Sequence, residues 1–305
     1  MRYFLRHITQ MPLPAVLLLL VGALAMWVVD YTRTPELWLT ILSTQTLVLI
    51  NAILLSMTLY RAKATAHFSL LPAVLYILTV GVFPFLRVHW QPQLVVAILL
   101  FFLYATRDMT DTHEPNDLVF FVTLLLCLTA LMSPDAVWCI AFLWLVVLLQ
   151  GAFTLRTIFA SLLAAALVGV YYVLALYIGW AEMWDYTFLF DRQWIGYNQP
   201  VALFTTVIIL MVGFLFASGA AFRRSSYDFV STRMLLYHVV FIGLLSAPLI
   251  LLTAAELDSW ALLPLSLTAT TCIYLLQKES ESRGITLLVY IVGTIILYLW
   301  LVLSL

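Results

Sequence analysis

The sequence predicts an all-α fold: a polytopic transmembrane helix bundle of about eleven spans, with its N-terminus inside and its C-terminus outside. Three observations carry that expectation. Of 305 residues, 65% are hydrophobic and only 10% are charged, against about 25% charged in an ordinary soluble domain. The apolar residues come in long runs without a period of two, which fits helices and not a β-barrel. The basic residues sort to alternate loops, as the positive-inside rule requires of a multi-span protein. A net charge of −1 leaves no basic field for nucleic acid, and three cysteines make no disulfide framework.

A hydrocarbon core of roughly 30 Å takes about 20 apolar residues per helix. On that measure the spans fall at about 12–29, 38–60, 68–86, 90–106, 118–132, 134–150, 157–178, 200–221, 235–254, 257–277 and 285–304. The first follows Arg2 and Arg6, and Ala23-Leu-Ala25 has the look of a signal-cleavage site. The apolar run continues through Trp27 to Val29, so an uncleaved span is expected. Pro84, Trp90 and Pro92 punctuate the third and fourth spans, and Ser133-Pro-Asp135 the fifth and sixth. The fifth and sixth are short. Nine spans plus a re-entrant hairpin at 118–150 is therefore the alternative, and removing that pair leaves every other loop on the same side.

With the N-terminus inside, the cytoplasmic segments hold Arg2, Arg6, Arg61, Lys63, Arg107, Arg156, Arg223, Arg224, Arg233, Lys278 and Arg283. The opposite side holds only Arg33, Arg87 and Arg192. The chain reads as one integral-membrane domain, 1–305, with no soluble domain and no internal repeat. Its surroundings are expected to be membrane lipid, and its place a bacterial inner membrane.

The spans carry almost no ionisable groups, which counts against a proton-coupled pump. Gln45, Asn51 and His238 are the polar residues read as lying within them. The amides suit interhelical hydrogen bonds, and His238, close after Arg233, reads as interfacial. The five histidines are scattered without ligand spacing, so no metal site is expected. Cys127, Cys139 and Cys272 read as small buried hydrophobes. No P-loop, GxGxxG, HExxH or GxSxG is present, and no cofactor is implied. The acidic loop 107–117 reads as a solvated hinge ending in Asp117 as a helix cap.

The exoplasmic face is richer. The segment 179–199 reads as an interfacial helix. Trp180, Trp184 and Phe188 recur at helical spacing on one side, with Glu182 and Asp185 on another. Asp191, Arg192 and Trp194 follow, and an arginine at headgroup depth suits a phosphate. Aromatic rings there serve either as a lipid belt or as a stacking platform for a sugar. Asp30 stands at the end of the first span and Glu36 opens the second. A carboxylate held there suits a general base acting on a lipid-linked substrate, and equally a solvated turn.

Two likenesses bear on this. The stretch from Asn51-Ala-Ile-Leu-Leu55 through Leu70-Leu-Pro-Ala-Val-Leu-Tyr76, then Phe83-Pro84, Gln91-Pro-Gln-Leu94, Leu128-Thr-Ala-Leu-Met-Ser-Pro134 and Tyr171-Tyr172 resembles a bacterial family of polytopic inner-membrane proteins of unknown function. The likeness spans roughly 45–195. The same half loosely resembles the helical core of polyprenyl-sugar-dependent glycosyltransferases of the GT-C fold. That resemblance implies a catalytic acid in the first exoplasmic loop, where Asp30 is the best-placed match and Glu36 the second. It departs from the class in having a short first loop and no paired acids. Three functions stay open: a GT-C-like transferase handling lipid-linked envelope glycan at the exoplasmic face, a non-catalytic membrane subunit of an envelope complex with membrane-protein partners, and a lipid flippase or transporter.

Overall fold

The computed structural model describes residues 21, 37–65, 68–83, 86–87, 89–109, 116–131, 136–149, 151, 153–179, 201–225, 230–252, 258–276 and 282–304. Ten helices run through them: α1 (Trp38–Arg61), α2 (Leu71–Gly81), α3 (Gln91–Met109), α4 (Asn116–Ala130), α5 (Ala136–Leu149), α6 (Leu155–Ile178), α7 (Val201–Ser225), α8 (Val230–Leu252), α9 (Asp258–Leu276) and α10 (Ser282–Ser304). The described residues contain no strand. The architecture is the expected helical bundle.

Among the described residues, three helices are long and apolar enough to cross a membrane: α1, α6 and the stretch Thr205–Arg223 of α7. The apolar stretches described in the others are shorter. At 1.5 Å per residue, the 11 residues of α2 reach about 17 Å and the 15 and 14 residues of α4 and α5 about 22 Å, less than a full hydrocarbon core. The described helices therefore do not show eleven full spans. The third expected span, 68–86, is interrupted, and the fifth and sixth form a short pair. The expected first span lies outside the described residues except for Val21.

Helix ends follow local chemistry. Thr154 caps α6 with a reciprocal box. Its hydroxyl accepts from the Thr157 N–H at 3.2 Å, and its own N–H donates to Thr157 Oγ1 at 2.9 Å. Gly179, at φ 78°, closes the other end of α6 in the left-handed region. After α1 the Ala64 N–H bonds Leu59 O and the Lys63 N–H bonds Tyr60 O, a Schellman pair with Lys63 held at φ 56°.

Packing fixes the directions of the helices. Asn51 of α1 meets Gln93 of α3, and Arg61 of α1 stacks on the Tyr104 ring, 4.3 Å from its centroid. The separations along the two helices match, so α1 and α3 run the same way. Thr79 of α2 meets Tyr290 of α10, and Arg87 beyond α2 faces the Tyr298 ring, so the chain from α2 to Arg87 runs parallel to α10. Thr232, near the start of α8, donates to Ala62 O at 2.9 Å. Phe222, near the end of α7, packs on Tyr237 of α8 with ring centroids 5.3 Å apart. Phe153 packs on Trp144 near the end of α5 and leads into α6. Thr123 of α4 and Ser161 of α6, each a similar distance into its helix, share a hydrogen bond at 3.1 Å.

One end of the bundle thus collects Arg61, Lys63, Arg223 and Arg233, where α1 and α7 finish and α8 begins. Arg87 lies at the other end. The core has α9 at its centre, packed on α1, α2, α3, α7, α8 and α10. Every residue from Ala261 to Ile273 is buried. At the periphery, α6 packs mainly on α4. It buries only Thr157, Ser161, Ala164 and Val168, a small-residue stripe at helical spacing that lets the backbones approach.

Candidate functional site

The most polar place in the described core is the interruption between α2 and α3. Pro72 opens α2 within its first turn, where its missing N–H costs no hydrogen bond. The ladder then tightens: Val82 N–H bonds Thr79 O at 3.2 Å, Phe83 N–H bonds Val80 O at 3.0 Å, and Leu86 N–H bonds Phe83 O at 3.2 Å. These are three-residue closures typical of a helix running out. Pro84 follows in the sequence and brings no N–H to continue it.

Gln93, fully buried on the first turn of α3, binds the interruption together. Its Nε2 donates to Leu86 O at 3.2 Å, tying the start of α3 to the segment after α2. Its Oε1 accepts from Tyr76 Oη at 3.0 Å and from Asn51 Nδ2 at 3.2 Å. Asn51 Nδ2 also donates to the Gln93 backbone carbonyl at 2.8 Å. One side chain therefore joins α1, α2, α3 and the segment after α2. Asn51 Oδ1 is buried without a hydrogen-bond partner. Above this node, Thr268 of α9 donates to Thr79 Oγ1 at 3.3 Å, and Tyr290 closes the group against both threonines.

Arg87 comes next along the chain. It is 1% exposed, the largest fully buried side chain, and the only Lys, Arg, Asp or Glu among the buried described residues. Its guanidinium carbon stands 5.5 Å from the centroid of the Tyr298 ring, within cation–π reach. Four residues on, α3 begins with no acidic side chain in its first turn, so the positive end of its dipole points into the same interruption.

The residues expected to form a site fall elsewhere. Asp30, Glu36, Trp180, Glu182, Trp184, Asp185, Asp191, Arg192 and Trp194 all lie outside the described residues. Their attachment points are described. Trp38 begins α1, Gly179 ends α6 and Val201 begins α7. By the helix directions above, all three lie at the Arg87 end of the bundle.

Asn51 is buried and interhelical, as expected, and Gln45 is buried with it. His238 differs from its interfacial reading. It is 2% exposed, because six residues of helix carry it about 9 Å past the Thr232–Ala62 contact and into the bundle. Arg87 differs too, being buried in the core where a loop cation is expected. Gln93 carries no role expected from the sequence, yet it ties these helices together. Cys139 and Cys272 are buried and Cys127 is half-buried. Among the described residues no three His, Cys, Asp or Glu gather to hold a metal. Comparison with protein-family models, curated proteins and solved structures gives no match to this chain.

Proposed function

We propose that the chain is a multi-pass protein of the bacterial inner membrane, N-terminus inside, that acts as a GT-C-like transferase on lipid-linked envelope glycan at the exoplasmic face. The observation that carries this reading is the polarity of the bundle. Arg61, Lys63, Arg223 and Arg233 share one end, which suits the cytoplasmic side. The segments bearing Asp30, Glu36 and residues 180–199 attach at the opposite end. In this reading Asp30 is the general base and Glu36 its auxiliary. The 180–199 segment is the acceptor platform.

The experiment is Asp30→Asn in cells and in purified membranes, with glycan transfer and membrane abundance measured together. Transfer should be lost while abundance stays at the wild-type level. Unchanged envelope glycan in Asp30→Asn would remove the catalytic reading. A non-catalytic subunit of an envelope complex is the second reading. The broad exposed apolar surface of α6, with Phe159, Leu163, Val170 and Tyr177 uncovered, favours it by offering a partner helix room to pack.

A further inference from the structure

We infer that the basic end of the bundle is a docking surface for an anionic phospholipid. It lies where α1, α7 and α8 meet, and a headgroup carrying two phosphates, as in cardiolipin, fits it best. The inference rests on the membrane-spanning reading above and not on the transferase reading.

The junction is built by packing. Thr232, in the first turn of α8, donates to the carbonyl of Ala62, the residue that caps α1, at 2.9 Å. Arg61 and Lys63 flank Ala62, and Arg233 follows Thr232. Each neighbour adds only about 3.8 Å of chain, so one hydrogen bond brings three long basic side chains within reach of one headgroup. Phe222 of α7 packs on Tyr237, one turn along α8 from Arg233, with ring centroids 5.3 Å apart. Arg223 follows Phe222 and joins the same junction. The positive-inside rule asks only for cations in the loops on one side. It does not ask that they converge on one spot through a contact that bridges 170 residues of sequence.

The side chains are held, yet reachable. Lys63 and Arg223 are exposed, and Arg61 and Arg233 are half-buried. Arg61 is steadied on the Tyr104 ring. Arg233 Nε is shielded, so its stem is packed and its fork is left to reach the interface. Lys63 occupies the left-handed position of the turn after α1, at φ 56°. Glycine is the usual residue there, and a lysine gives up backbone ease for a charge.

Depth and surroundings favour a lipid over a soluble anion. Arg61 ends one helix long and apolar enough to cross a membrane, and Arg223 ends another such stretch. Their guanidinium groups therefore stand where hydrocarbon gives way to headgroups. Beside them Tyr60 and Phe68 are exposed and pack edge to face, with centroids 6.0 Å apart, and Tyr237 is exposed as well. Rings at that level suit the glycerol and first methylenes of a phospholipid, and a free phosphate has no use for them. The cations fall into two groups about the Ala62–Thr232 contact: Arg61 with Lys63, and Arg223 with Arg233. Two linked phosphates meet both groups, and a single phosphate meets one.

The test titrates the full chain in detergent with cardiolipin, phosphatidylglycerol and phosphatidylcholine, and native mass spectrometry reads the bound lipid. Cardiolipin should half-saturate at a concentration about fivefold or more below phosphatidylglycerol, the equivalent of roughly 1 kcal/mol for each basic residue engaged near a membrane surface. Phosphatidylcholine should bind weakest. Equal affinity for cardiolipin and phosphatidylglycerol overturns the two-phosphate assignment, and equal affinity for all three overturns the surface. Inorganic pyrophosphate binding as tightly as cardiolipin overturns the lipid as occupant. Arg233→Met should raise the cardiolipin half-saturating concentration about fivefold. Lys63→Asn should do the same, and asparagine tolerates the left-handed turn, so this exposed variant carries the test should Arg233→Met fail to insert. Arg156→Met removes an exposed arginine at the start of α6, outside the junction, and should leave binding unchanged. A loss there equal to that in Arg233→Met shows diffuse charge attraction and overturns the site. Wild-type affinity in both junction variants overturns it too, leaving these cations to pair with acids such as those of segment 107–117. Asp30→Asn should bind cardiolipin as wild type does. A chain that binds cardiolipin and transfers no glycan would sink the transferase reading and leave the docking surface standing.

Discussion

Replacing Gln93 by leucine should destabilise the bundle by more than any single hydrogen bond in it would suggest. Leucine keeps much of the volume and removes three contacts at once: Nε2 to Leu86 O, and Oε1 from Tyr76 and from Asn51. Asn51 Nδ2 retains the Gln93 backbone carbonyl, so it does not become an orphan. Leu86 O loses its bond to Gln93 while Tyr76 Oη keeps the Asn51 amide beside it, and both residues are buried. A buried polar group stripped of its partner costs about 1–3 kcal/mol, whereas a single interhelical hydrogen bond in a membrane protein averages about 0.6 kcal/mol because the unfolded state finds other partners. The larger figure governs here, since both groups are enclosed by protein. The expected loss is about 2–4 kcal/mol. Tyr76→Phe removes one bond and leaves Gln93 Oε1 served by Asn51, so it should cost about 0.5–1.5 kcal/mol. Reversible unfolding of wild type, both single variants and the double variant in bicelles gives the cycle. The Tyr76–Gln93 coupling should exceed about 0.5 kcal/mol. If Gln93→Leu costs no more than Tyr76→Phe, Gln93 does not organise the interruption and the account given above is wrong.

Three further outcomes follow from the packing. Gly243→Ala places a Cβ 2.3 Å from Phe214 Cζ, and Phe214 is buried on α7 with little room to turn. The variant should lose about 1–3 kcal/mol, and Phe214→Leu in the same chain should recover part of the loss in the same unfolding assay. Thr154→Ala removes the N-cap of α6 and should cost about 1 kcal/mol, read as the same shift in the unfolding midpoint with Thr154→Ser close to wild type. Ser161→Leu forces a large side chain between α6 and Thr123 of α4, which should loosen α6 and expose it to protease. Leu162→Ala, on the exposed side of the same turn, should leave the cleavage pattern unchanged.

Much of the fold was legible because helix ends are set locally. The expected spans 38–60, 157–178 and 200–221 compare with helices Trp38–Arg61, Leu155–Ile178 and Val201–Ser225. Thr154 and Gly179 lie next to the bounds they fix. Span 68–86 was misjudged in length because hydropathy does not register a missing N–H, and the ladder gives out ahead of Pro84. Gln93 was hidden for a different reason. A glutamine after a proline reads as the first turn of a helix at an interface, and its role depends on α1 and α2 arriving beside it. Arg87 was hidden by the same blindness. Counted as a loop cation it satisfied the charge rule, and only packing against α10 shows that it is enclosed. The sequence-level candidates, Asp30 and the 180–199 aromatics, rest on chemistry and side of attachment, since they lie outside the described residues.

The interruption also explains the helix at the centre. An 11-residue helix is too short to cross a bilayer by itself, and the tightened turns that close it at Val82 and Phe83 are best covered by protein. It must be walled in by protein, and α9 is part of that wall. This is why α9 is buried on every side and carries hydroxyls where an ordinary amphipathic helix has a polar face. Ser266 donates to Leu262 O at 2.9 Å and Thr270 to Ser266 O at 2.8 Å, each back into its own helix. These groups are satisfied without water and without a partner helix, so they sit among apolar neighbours at little cost. Thr268 instead turns outward to Thr79 and Tyr290. That outward hydroxyl ties α2, α9 and α10 together, the arrangement in which Arg87 faces the Tyr298 ring. A chain evolved only to fill a bilayer has no use for such a register. A chain that must hold a cation against an aromatic ring inside the bundle requires it.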